Sequence, residues 1–160
     1  MRAFTAAALL VIASPAAAAS AFDAVAFFTG RTHGEGTLRE ILKSPKRVSV
    51  ASVGSVGSDG TLLLRQRVDV QGDKPRIRIW RLRKSGENAY AGSLSDARGP
   101  VSASMQGTSI HIRYRTTDGL SVQQWLTPAS GSEGKAIDNR MTFSKLGIIV
   151  ARLTERIEKR

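Results

Sequence analysis

Ser58-Asp59-Gly60-Thr61-Leu62-Leu63-Leu64-Arg65-Gln66-Arg67-Val68-Asp69-Val70-Gln71-Gly72-Asp73 decides the fold. Leu62, Leu64, Val68 and Val70 share one parity, whereas Arg65, Arg67 and Asp69 share the other. Successive side chains leave a strand on opposite faces, so this is a half-buried β-strand with one wet side. Asp-Gly and Gly-Asp pairs close it at both ends, and such pairs supply the positive backbone angles that tight turns need.

The same punctuation recurs outward in both directions, at Gly86-Glu87-Asn88, Gln106-Gly107, Asp118-Gly119 and Gly131-Ser132-Glu133-Gly134. Between these breaks the pattern predicts strands at 30–42, 46–57, 61–70, 75–84, 88–95, 99–106, 108–115, 119–127, 135–143 and 147–157. Ile110, Ile112 and Tyr114 oppose His111, Arg113 and Arg115, repeating the alternation. Phe22 to Phe28 instead spaces its apolar residues as a helix does, with Asp23 near the start, and reads as a short helical turn plugging one end. The expected architecture is all-β, a single antiparallel up-and-down barrel of eight to ten strands.

Two segments read less simply. Ile77 and Ile79 share a face while Leu82 has the opposite parity, so a change of phase is expected at Trp80-Arg81, through a bulge or bend. Either Trp80 or the Arg76/Arg78 pair then turns inward; an inward arginine would suit a ligand carboxylate or phosphate. The run from Ile148 to Arg160 fits a strand or one helical face, and a closing strand that frays after Glu155 is the favoured reading.

Residues 1–19 have the layout of a cleavable secretory signal: Met1-Arg2, an apolar run from Ala6 to Ala13, Pro15, and small residues to Ala19. Residues 20–160 then form one domain, expected in the periplasm. The chain has no cysteine, so neither disulfides nor a lipidated cysteine contribute.

The 160 residues hold 24 Lys and Arg against 13 Asp and Glu, a formal charge of +11, or +10 without residues 1–19. Such a field attracts anionic surfaces. Export and the scarcity of aromatic residues argue against nucleic acid and leave an anionic membrane surface as the fitting partner.

Reactive constellations are thin. His33 and His111 are far apart, so no metal site is expected; His33 is the better candidate for a ligand or haem contact but reads first as a plain strand residue, and His111 is expected in solvent. Gly54-Ser55-Val56-Gly57 lacks nucleophile-elbow spacing, and Gly34-x-Gly36 precedes no helix. Asp96 and Asp138 read as members of ion pairs with nearby arginines. No catalytic residue and no cofactor are assigned.

Phe28-Thr29-Gly30, Arg78-Ile79-Trp80-Arg81-Leu82, Tyr90 through Gly99, Ile112-Arg113-Tyr114, the strand around Trp125, and Asn139 through Gly147 occur in an order that resembles an uncharacterised family of bacterial envelope proteins. That family is a domain of unknown function whose members are often lipoproteins. The resemblance implies a lipocalin-like, calycin-type barrel and implies no activity. This chain departs from it by lacking the lipidation cysteine and by carrying Gln123-Gln124 where relatives tend to be acidic.

On this reading the barrel is a monomer holding a small apolar or lipid-like ligand. Arg78, Arg113, Tyr114 and Asn139 are the expected polar contacts, and Trp80 and Trp125 the apolar walls. Asp96 would turn a corner between Gly92 and Gly99, bonding local amides; Asn139, Arg140 and Lys145 would latch the closing strands or line the mouth. The alternative is an envelope module that docks anionic lipid or an acidic protein through its basic surface.

Overall fold

The computed structural model describes residues 22–160; residues 1–19, expected to be a secretory signal, lie outside them. One helix, α1 (Ala24–Phe28), precedes ten strands: β1 (Gly30–Glu40), β2 (Lys46–Val56), β3 (Leu62–Val70), β4 (Arg76–Gly86), β5 (Ala89–Leu94), β6 (Val101–Gln106), β7 (Ser109–Arg115), β8 (Ser121–Pro128), β9 (Ala136–Lys145) and β10 (Ile148–Lys159). Each strand pairs antiparallel with its sequence neighbours, and β10 pairs with β1 to close a ten-stranded lipocalin-like barrel. Closure leaves no edge strand with unpaired amides.

Parity sorts the side chains as alternation predicts. In β3, Leu62, Leu64, Gln66 and Val68 are buried inside, with Leu63, Arg65 and Arg67 exposed outside. The core follows the same rule around the barrel, with Trp80, Leu82, Ile110, Ile112, Val122 and Met141 in one apolar cluster.

The two uncertain segments resolve clearly. The expected phase change at Trp80 does not occur: β3 and β4 stay in register from Leu62↔Leu82 to Val68↔Arg76. Arg76, Arg78, Trp80 and Leu82 therefore share the inward parity, and Ile77 is left 43% exposed on the outer wall. The irregularity in β4 lies further on, between Lys84 and Gly86. β10 is a strand that does not fray after Glu155, since Ile157 pairs with Ile137 and Gly34 and the pairing with β1 continues to Lys159.

α1 closes one end. Its N-cap Asp23 accepts from the amides of Val25 and Ala26 at 2.9 and 3.2 Å, satisfying donors that no helical carbonyl can reach. Burial pushes the Asp23 carboxyl up, but the Lys84 ammonium at 2.9 Å and those amides outweigh it and hold it below the usual range. Phe27 and Phe28 enter the core. Gly54 permits this approach, because a Cβ there would collide with the Phe28 carbonyl.

The turns after β1, β3, β5, β7 and β9 lie at the opposite end, which we call the mouth; those after β2, β4, β6 and β8 lie beside α1.

Candidate functional site

Above α1 the barrel encloses a cavity of about 500 Å³, floored by Ala24 and Phe28. Leu64, Val68, Ile112, Leu126 and Leu153 form much of its apolar wall. Toward the mouth its lining becomes polar, with Glu40, Asp73, Arg76, Asp96, Thr116 and Asp118. The inward even-numbered residues of β3 and β4 make both the greasy wall and its polar interruptions.

Arg78 is the central charged group. Its Nε lies 3.0 Å from Asp96 Oδ2 and 3.1 Å from Oδ1, and its terminal nitrogen donates to the Tyr114 hydroxyl at 2.9 Å. The guanidinium also sits 5.4 Å from the Trp80 ring centre, and Trp80 packs edge-on against Tyr114. Burial alone would lower the Arg78 pKa, but Tyr114 and Asp96 outweigh it and raise it. Burial likewise pushes the Tyr114 phenol up, against the pull of Arg78.

Trp80 Nε1 donates to Gln66 Oε1 at 2.7 Å, and Gln66 Nε2 donates to Ser52 Oγ at 3.2 Å, so this inner chain is satisfied. A second polar group is not. Asn139 Nδ2 donates to Glu155 Oε2 at 2.8 Å, yet Asn139 Oδ1, Glu155 Oε1 and Gln124 Oε1 are buried without hydrogen-bond partners. All three residues line the cavity. Asn139 faces Glu155 across β9 and β10 and Leu126 across β8, two residues from Gln124 on the same face, so the three belong to one inner patch.

Glu155 occupies space that β1 leaves open. Gly34 faces inward, and a Cβ there would overlap the Glu155 carboxylate; one at Gly36 would meet the β10 backbone. Burial pushes the Glu155 carboxyl above the ordinary glutamate value, partly offset by the Asn139 bond and the field of Arg78.

Of the residues singled out by sequence, Arg78, Trp80, Tyr114 and Asn139 all line the cavity, with Asp96 joining them. Arg113 and Trp125 do not, because their odd parity in β7 and β8 puts them on the outer face. There Trp125 stacks on His111 with ring centres 3.8 Å apart. His111 is only 6% exposed, not in solvent as expected, since Trp125 covers it and Gln106 and Gln123 bond its ring nitrogens. That burial, with Arg113 nearby, lowers its pKa and favours the neutral ring.

Other expectations also change place. Asp96 receives Arg78 rather than its local amides, which places a structural corner in the cavity wall. His33 points outward and pairs with Glu35 at 2.7 Å, away from the cavity. Asp138 pairs with Arg156 at 3.4 Å, not with its neighbour Arg140. Arg140 is exposed on the outer wall, and Lys145 is exposed at the mouth end of β9. Only Asn139 of the three latch residues is therefore inside.

Sequence reading missed Glu155, Gln124 and Gln66. Their signal was parity: Glu155 shares a face with Leu153 and Ile157, and Gln124 with Val122 and Leu126.

Two solved structures place this barrel among known ones. It superposes on the S-type phycobiliprotein lyase CPES from Guillardia theta with a TM-score of 0.64 at 6% identity, over 85% of this chain and 90% of that one. With Rv2717c from M. tuberculosis the TM-score is 0.63 at 14% identity, over 89% and 98% of the two chains. At these identities the likeness is one of fold. No curated protein matches the chain. A family model described as a protein of unknown function, DUF3833, matches residues 2–159, and the chain belongs to that family.

Proposed function

We propose that this protein binds and carries a small amphipathic molecule inside its barrel without chemical change. The observation that carries this reading is the cavity of about 500 Å³, whose apolar wall contains one buried polar patch, Gln124, Asn139 and Glu155. That volume falls in the range of small-molecule sites, which combine an apolar lining with a few oriented polar groups. The unpartnered oxygens of Gln124 and Asn139 are acceptors, so a molecule with a greasy body and a hydrogen-bond-donating end suits it best.

Arg78 does not favour the fatty acid or anionic lipid that an inward arginine first suggests. Its charge is already engaged by Asp96 and one terminal nitrogen by the Tyr114 hydroxyl, so a ligand carboxylate would compete with a part-buried ion pair. Binding without turnover is the preferred reading because Glu155 is the one titratable group of the inner patch and is held by Asn139. General acid–base chemistry on a substrate commonly pairs such a group with a second one. We place the carrier in the periplasm, with residues 1–19 as the export signal.

Native mass spectrometry of protein purified from its own cells, followed by organic extraction, tests the reading. The expected result is a co-purifying small amphipath. Ile112→Trp, which narrows the cavity, should weaken binding of that molecule or of an anilinonaphthalene probe by about tenfold or more. A chain free of bound mass that also gives no saturable probe response would overturn the proposal.

A further inference from the structure

Leu42 and Leu146 are the most exposed large apolar side chains of the described residues, at 101% and 97%. Both have positive φ, 59° and 50°, a backbone state that disfavours leucine. Each sits in a mouth turn, and the two turns are neighbours because β1 pairs with β10: Glu40 faces Ala151, and the Ile41 amide donates to the Val150 carbonyl at 3.0 Å. Ile41 and Ile148, 53% and 65% exposed, extend the same apolar tip.

Cations sit just behind this tip. Arg39 faces Arg152 directly across β1 and β10, both exposed, and Lys145 precedes Leu146. Among the described residues none of these three joins an ion pair, although Lys43 bridges Glu40 and Lys46 bridges Asp73. Like charges set opposite each other repel on an isolated barrel, and an external anion relieves them. From Arg39 to Leu42 the chain advances three residues, at most roughly 10 Å and less because Leu42 lies in the turn. That offset matches side chains buried about 5–10 Å into a lipid interface with cations at the phosphate level.

We propose that the β1–β2 and β9–β10 turns dock this barrel on an anionic phospholipid surface, with Leu42 and Leu146 inserted and Arg39, Lys145 and Arg152 among the headgroups. Docked this way, the mouth opens against the lipid rather than toward bulk water. An amphipathic molecule can then pass between bilayer and cavity by crossing only the polar rim of the mouth.

Co-sedimentation with vesicles tests this, comparing pure phosphatidylcholine with phosphatidylcholine containing about 30% phosphatidylglycerol. Binding to the anionic vesicles is expected, falling about tenfold or more between roughly 50 and 500 mM salt. The Leu42→Ser/Leu146→Ser variant should bind at least tenfold more weakly at low salt. Both side chains are exposed, so its melting temperature checks that the fold is retained. Equal binding by wild type and variant, or none to anionic vesicles, overturns the proposal. Wild-type dimers in sedimentation velocity that the variant loses would also overturn it, assigning the tip to a second copy of the chain.

Discussion

Glu155 shows what a single side chain demands of its surroundings. A carboxyl in that position needs an inward glycine opposite and a partner that donates, and Gly34 and Asn139 provide them. Because burial raises its pKa in the folded state, Glu155 contributes relative stability at pH below the ordinary glutamate value of 4.5, which is lost as pH rises through the raised value. Glu155→Gln removes that penalty: thermal melts should show the variant gaining over wild type at pH 8 and little difference at pH 4. Gly34→Ala should push the carboxylate out of its niche and cost about 1–3 kcal/mol in urea unfolding. Neither residue stood out in the sequence. A glycine in a strand marks a close approach without naming the visitor, and a glutamate near the C-terminus resembles any solvated acid.

At the scale of elements, the turns and strands were legible because the period-two alternation and the glycine breaks report local geometry. All ten strands lie where the pattern predicts them, with ends shifted by two residues or fewer. β4 was misread because a barrel can expose isoleucines and bury arginines when a partner waits inside. Ile77 and Ile79 suggested one inner face, but the Asp96 carboxylate that draws Arg78 inward lies 18 residues away. The site had the same difficulty: Tyr114 followed from parity and Asn139 from the segment shared with the family, whereas Arg113 and Trp125 followed from residue type and lie outside. The β9–β10 turn carries a further expectation. Leu146 holds φ of 50° beside Gly147 at 82°, so Leu146→Asn should relieve the backbone and stabilise the fold by about 1 kcal/mol, read as a raised melting temperature.

For the whole molecule, closure joins the two ends of the described residues in space. The Arg160 amide donates to the Arg31 carbonyl at 3.0 Å, and Lys159 Nζ reaches the Ala26 carbonyl at 3.0 Å. A circular permutant that links residue 160 to residue 22 and opens the β3–β4 turn at Gly72-Asp73 should fold to the same circular dichroism spectrum. Loss of the β signal would show that chain order is needed to set the register. The same geometry fixes a polarity. Residues 22 and 160 both lie at the plugged floor, and the strands carry the apolar turn tips to the far rim, at most roughly 30 Å away for strands of about ten residues. Held by a tail at either end, the barrel stands like a cup on a stem, its lip offered to whatever surface lies opposite the one that holds it.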